Sequence, residues 1–163
     1  LDMKTINPEH IKVILDIINQ SPYLKLLSIK VSELQSGYCK VEVDLGKKHL
    51  NPFGGAHGGV YASLIDTATF CAVYCDLREN ISLITIDLKV DNLSSAKEGK
   101  LVVEGKQIKV GRSICLSEAT IKDIHGKLLA HGTSKQLILE GMQSISQAAS
   151  IMGYQSLPPK FLS

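Results

Sequence analysis

The sequence predicts an α+β protein in which one antiparallel sheet curls around a single buried helix. Three observations predict it. The segments come in the order helix, two strands, helix, four strands. The second helix is apolar on almost every side, so it needs cover all round. The junctions between the later strands are short and turn-like, which favours antiparallel neighbours over crossovers.

Asn7-Pro8 followed by Ile11, Ile14, Leu15 and Ile18 gives a capped amphipathic helix over about residues 8–20. Gln20-Ser21-Pro22 is expected to end it. Residues 26–34 then read as a loose strand, and Tyr38 to Leu45 as a clear one, with Val41, Val43 and Leu45 alternating against Lys40, Glu42 and Asp44. Gly37 stands between them where a hairpin turns.

The next stretch, NPFGGAHGGVYASLIDTATFCAVYC from Asn51 to Cys75, is the most informative in the chain. Beyond Gly58, the residues Val60, Leu64, Ala68, Cys71 and Cys75 recur at helical spacing, and most residues between them are apolar too. Four strands follow: Ser82 to Asp91, Leu101 to Val110, Ser113 to Ile124 and Lys127 to Leu139. They are separated by Lys97-Glu98-Gly99, Gly111-Arg112 and His125-Gly126. From Gly141 a short helix is expected up to Met152, then Pro158-Pro159 and a mobile end.

Composition narrows the function classes. With 163 residues, 44% apolar and 21% charged, the chain is of single-domain size and ordinary globular make-up. A formal charge of +2, with no basic run interleaved with aromatics, gives no reason to expect nucleic acid. Glycines, Asn51 and Asp66 interrupt the longest apolar stretch, so no membrane helix is expected. Cys39, Cys71, Cys75 and Cys115 form no C-x-x-C pair, and the histidines show no ligand spacing, so neither zinc nor another metal is implied. Buried free thiols and the lack of a secretory leader lead us to expect a cytoplasmic protein.

Asp66 is the only formally charged side chain between Leu50 and Cys75. A carboxylate there either locks the helix by hydrogen bonding or serves as a base or nucleophile in a dry pocket. At the helix start, Gly58 and Gly59 follow His57 where backbone amides lack partners and the dipole is positive. The glycines serve either a tight turn or the close approach of a substrate oxygen, and they match neither a dinucleotide nor a P-loop fingerprint. Gly58 and Asp66 are eight residues apart, about 12 Å along one helix. Reacting atoms must come within about 3.5 Å. Either the two do not cooperate, or Asp66 of one chain faces Gly58 of another in a two-fold homodimer.

The run N-P-F-G-G-A-H-G-G followed by L-I-D-T-A resembles the active-site signature of hotdog-fold acyl-CoA thioesterases of the PaaI-like, phenylacetate-pathway type. The resemblance covers roughly residues 35–140. It implies a single hotdog domain over 1–163, with its core over about 24–140 and a short C-terminal tail, joined edge to edge as a homodimer that can pair into a homotetramer. It also implies hydrolysis of an aryl or fatty acyl-CoA with no cofactor beyond water. Asp66 would be the catalytic nucleophile or base, and the Gly58 amide would polarise the thioester carbonyl. Asn51 would place the thioester or the water, His57 would position the turn, and Thr85 would hold water near the carboxylate. Gly59, Gly111, Arg112 and Ser113 would contact coenzyme A, with Lys97 and Lys100 as helpers. The competing expectations are a hotdog dehydratase or hydratase and an acyl-CoA sensing module without turnover. Acyl preference would depend on which of Tyr61, Phe70, Tyr74, Ile84 and the tail line the pocket.

Overall fold

Asn7 opens the chain's first helix, its side-chain oxygen accepting from the Glu9 amide while Pro8 occupies the first turn. In the computed structural model, which describes residues 4–141 and 144–162, this helix is α1, Pro8–Asn19. The next residues depart from the expectation of a plain stop. Ser21 caps a second helix, α2, Pro22–Leu27, through a bond from the Leu24 amide. Ser-Pro is both a poor continuation of one helix and a good start for another, and burial of Leu24 selects the start. The first strand therefore begins later, as β1, Lys30–Gln35, after Ser28 adopts a left-handed φ of 54°.

β1 turns at Gly37 into β2, Tyr38–Leu45, which lies antiparallel to it. The central helix α3, Gly58–Ala72, tightens at its end into a 3-10 turn over Tyr74–Asp76. Then come β3, Ile81–Asn92; β4, Gly99–Val110; β5, Ile114–Asp123; β6, Leu128–Glu140; and the short helix α4, Ile145–Ile151. One six-stranded sheet results, in the order β1-β2-β4-β5-β6-β3, with every neighbouring pair antiparallel.

That order corrects one expectation. The Lys97-Glu98-Gly99 junction is a crossover, because the first part of β4 pairs with the whole of β2 while β3 pairs with β6 at the far edge. The connection crosses the start of α3. Leu93 and Ser94 donate to the Leu129 carbonyl, and the Ala56 amide donates to the Ala96 carbonyl at 2.7 Å. The other two junctions are hairpins, as their turn chemistry predicts.

The sheet curls around α3 in the hotdog arrangement. Leu64, Ile65, Ala68 and Ala72 have no exposed surface and pack against Val41, Leu101, Val103 and Ile121. Two strand glycines let the helix come this close. A Cβ on Gly105 would stand 2.3 Å from the Ala68 carbonyl oxygen, and one on Gly132 would stand 2.6 Å from Ile65 Cγ2. The helix is not covered on every side, however. A stripe of Ser63, Asp66, Thr67 and Phe70, three and four residues apart, stays half-buried or exposed.

The C-terminal end is docked, contrary to the expectation of a mobile tail. Lys160, 4% exposed, donates to the Tyr74 and Leu77 carbonyls, and the Asn7 amide donates to the Lys160 carbonyl. His10 holds the same corner, with Nδ1 on the Pro158 carbonyl and Nε2 facing the Tyr74 hydroxyl, each at 2.7 Å. Tail and first helix thus close over one end of α3. All four cysteines are buried and free. Among the described residues, no helix is long and apolar enough to cross a membrane.

Candidate active site

Asp66 lies near the middle of α3 on the stripe that the sheet leaves open. Its Oδ1 accepts a 2.9 Å hydrogen bond from Thr85 Oγ1 on β3. The helix is braced beneath this point by a buried polar group that sequence periodicity does not disclose. Ser117 Oγ donates to the Thr69 carbonyl, while Gln136 Nε2 donates to the Ser117 and Ser134 hydroxyls. Gln136 is also the register partner of Thr85, so one rung of the sheet fixes both the helix and the hydroxyl that meets Asp66.

The other candidate residues gather at the N-terminus of α3. Asn51 Oδ1 accepts from the amides of Phe53 and Gly55, at 2.9 and 3.3 Å, which folds the loop on itself. Buried His49 anchors that loop, Nδ1 accepting from Gly46 and Nε2 donating to the Leu27 carbonyl. His57 is the N-cap of α3, and its Nδ1 accepts from the Gly59 amide at 2.8 Å. An accepting Nδ1 leaves the ring proton on Nε2. The imidazole is thus a positioning group, and the Gly59 amide is already engaged. The Val60 amide turns back to the His57 carbonyl. Among the described residues, this leaves the Gly58 amide as a first-turn donor with no protein acceptor.

Gly58 and Asn51 open on a cleft of about 330 Å³, together with Asn92 and Ser94 from the end of β3 and the crossover. Asp66 opens on a different hollow of about 410 Å³, beside Phe70, Tyr74 and residues of α1 and α4. Within one chain, the Gly58 and Asp66 positions therefore open on separate spaces. Of the proposed pocket aromatics, Phe70 and Tyr74 line the Asp66 hollow. Tyr61 belongs to the Gly58 cleft and donates to the Ser94 carbonyl at 3.1 Å. Ile84 lines neither of these hollows and is 39% exposed.

Gly111, Arg112 and Ser113 lie at the β4–β5 hairpin, on a third hollow of about 720 Å³ that also includes Asp76 and Arg78. Lys97 and Lys100 are exposed at the opposite end of β4, so roughly 40 Å of extended chain separates Lys100 from Arg112. The lysines and the arginine do not form one basic patch within a chain. Among the described residues, no three His, Cys, Asp or Glu side chains cluster as a metal site would require. Periodicity also gives no sign of Ser82, whose buried hydroxyl opens on the Asp66 hollow with no hydrogen-bond partner among the described residues. It misses Asn92 as well, whose side-chain nitrogen sits 3.0 Å from where a Cβ on Gly58 would be.

Comparison with known proteins bears on this constellation. The family profile described as Thioesterase superfamily matches residues 53–130, a span that holds His57, Gly58, Asp66 and Thr85 but stops short of Asn51. A protein of Archaeoglobus fulgidus named "Putative esterase" is 33% identical over 107 residues, covering 65% of this chain and 68% of its own. The chain belongs to the thioesterase superfamily. Within that superfamily, acyl-coenzyme A thioesterase 13 of Homo sapiens is 28% identical over 96 residues, 58% of this chain and 66% of that protein. The crystal structure of a thioesterase from Haemophilus influenzae superposes with a TM-score of 0.77 at 19% identity, covering 86% of this chain and 98% of the other, and shares the hotdog fold. Superfamily membership supports thioester hydrolysis as the reaction class. α1, α2 and α4 lie outside the matched span.

Proposed function

We propose that this thioesterase-superfamily protein hydrolyses acyl-CoA thioesters, and that each of its active sites is shared between two copies of the chain. The single observation that carries the reading is the division of one helix between two spaces. Asp66, held by Thr85, faces an apolar hollow, while the unpaired Gly58 amide faces a cleft at the helix start. A second chain would bring the two together.

The exposed edge of the sheet supplies a route. β3 is an edge strand of 12 residues on which Ile84, Ile86 and Leu88 are 39, 51 and 37% exposed. An apolar edge of that length is a template for pairing. Antiparallel β3–β3 pairing about Leu88 and Lys89 sets Asn92 of one copy opposite Thr85 of the other. Asn92 neighbours Gly58 and Thr85 holds Asp66, so the amide and the carboxylate then approach across the interface.

In such a site the Gly58 amide polarises the thioester carbonyl and stabilises its oxyanion without reorganisation. Asp66 either attacks the carbonyl carbon, giving an anhydride that water opens, or takes a proton from the attacking water. Both routes break the C–S bond and release a carboxylate and free coenzyme A. Asn51 keeps the Gly58 loop folded, and the Arg112 guanidinium is assigned to the coenzyme A phosphates. The human relative's name, acyl-coenzyme A thioesterase 13, supports coenzyme A as the thiol. The partner of Asp66 is a threonine and His57 is committed to capping, which favours hydrolysis over the hydration chemistry of a His–carboxylate pair.

The test is thiol release from a panel of acyl-CoAs by parent protein and Asp66→Ala. Turnover by the parent and a loss of at least a hundredfold in the variant are expected. Equal rates would remove Asp66 from the reaction.

A further inference from the structure

Nearly half of the wall of the hollow beside Asp66 comes from outside the matched thioesterase span. α1 supplies Ile14, Ile17 and Ile18, while α4 supplies Ile145 and Ala148 and its C-cap residue Met152. Between them lie the open stripe of α3 and the start of β3. The wall is predominantly aliphatic, with Phe70 and Tyr74 as its aromatic members and Asp66 as its formally charged one. Its volume, about 410 Å³, falls within the range of ligand pockets.

Both flanking helices are fastened rather than loosely apposed. The Tyr154 hydroxyl, just beyond α4, donates to the Asp16 carboxylate on α1. The Asn7 side chain donates to the Pro159 carbonyl, and the Lys160 amide to the Glu79 carboxylate. The walls contributed by α1 and α4 are thereby tied to each other and to the 3-10 end of α3. A rigid apolar space that begins at a carboxylate suits a group whose reacting carbonyl stays at Asp66 while its hydrocarbon part leaves water.

We infer that the hollow is the acyl subsite, that it takes a flexible aliphatic chain in preference to an aryl group, and that α1 and α4 set the length it accepts. This rests on the thioesterase reading. Aliphatic walls from two helices discriminate by accumulated methylene burial, worth about 0.8 kcal/mol for each methylene, or close to fourfold in binding. A flat aryl group would gain most from aromatic surfaces on both of its faces, and here Phe70 and Tyr74 both come from α3 and the 3-10 turn that ends it.

The experiment measures kcat/KM for straight-chain acyl-CoAs from butyryl to palmitoyl, and for benzoyl-CoA, in the full chain. We expect KM to fall about three- to fourfold per methylene until the chain outgrows the hollow, and octanoyl-CoA to exceed benzoyl-CoA at least tenfold in kcat/KM. Ala148→Trp should shift the optimum to shorter chains and lower the decanoyl-to-butyryl ratio at least tenfold. Met152→Ala should shift it to longer chains, and Ile151→Trp, on the exposed face of α4, should leave the profile unchanged. A flat profile, an aryl preference, or equal scaling of all chain lengths by Ala148→Trp would overturn the inference. If no acyl-CoA is turned over, the hydrolase reading fails separately, and the subsite is judged by calorimetric binding of decanoate. Binding by the parent that Ala148→Trp abolishes supports it, and no binding by the parent overturns it. Circular dichroism and thermal melts confirm that each variant is folded.

Discussion

Two variants, each inactive alone, are expected to restore one another when combined in one dimer. Asp66→Ala removes the carboxylate. Gly58→Val places a branched side chain where even a Cβ would lie 3.0 Å from Asn92 Nδ2, and it blocks approach to the Gly58 amide. The eight residues between these positions correspond to about 12 Å of helix, far beyond the roughly 3.5 Å over which reacting atoms must meet. If each site takes Asp66 from one copy and Gly58 from the other, a mixed dimer has one doubly damaged site and one intact site. Random assembly at equal amounts makes about half of all dimers mixed, so about a quarter of parental activity should return. The assay co-expresses the two variants with different affinity tags. It measures thiol release from the mixture, then from the doubly tagged fraction, where about half of parental activity is expected. Activity in the mixture no higher than in either variant alone, with mixed dimers shown to be present, would refute the shared site.

Three further outcomes test the surrounding structure. Thr85→Val removes the 2.9 Å hydrogen bond to Asp66 while keeping the side-chain shape, so kcat should fall about tenfold or more with little change in KM; Thr85→Ser should recover most of it in steady-state assays. Gly105→Ala forces a Cβ to within 2.3 Å of the Ala68 carbonyl, which cannot swing away, and should cost about 2–3 kcal/mol in urea unfolding; an unchanged midpoint would show that α3 is free to lift from the sheet. Burial lowers the Lys160 ammonium from 10.5 to about 8. The charged form is disfavoured in the folded protein, so between pH 8 and 10.5 the unfolded chain holds the extra proton and stability contributed by Lys160 rises with pH. The parent should therefore gain up to about 3 kcal/mol relative to Lys160→Met across that window, read from melts of both proteins at each pH. A constant difference would place the ammonium in water.

Much of this architecture is legible from local pattern. Strand patterns locate β2 to β6 within a few residues; in β2, β4, β5 and β6 the buried alternate residues face α3, whereas in β3 the alternating Ile84, Ile86 and Leu88 are exposed at the sheet edge. The apolar circumference of α3 announces a helix that a sheet must enclose, and the isolation of Asp66 within it marks the residue that needs an explanation. The loop from Asn51 to Gly58 is equally readable, since its side-chain caps act over only a few residues.

What local pattern leaves open was decided by contacts distant in sequence. The exchange that puts β4 beside β2 and sends β3 to the far edge depends on which strands bury the most surface together, and the turn residues near Gly99 carry no trace of it. Ser21-Pro22 reads as an ending until Leu24 finds a core to enter, and Lys160 reads as a surface charge until the tail folds its ammonium against two carbonyls. The meeting of Thr85 with Asp66, and the hollow enclosed by α1 and α4, join segments that no short window contains. Local residue patterns set the elements and the one carboxylate that stands out among them. Tertiary packing alone decided which edge of the sheet is open and what space the carboxylate faces, because strand order and cavity shape are set by non-local burial, whereas periodicity records only how each segment meets its own surroundings.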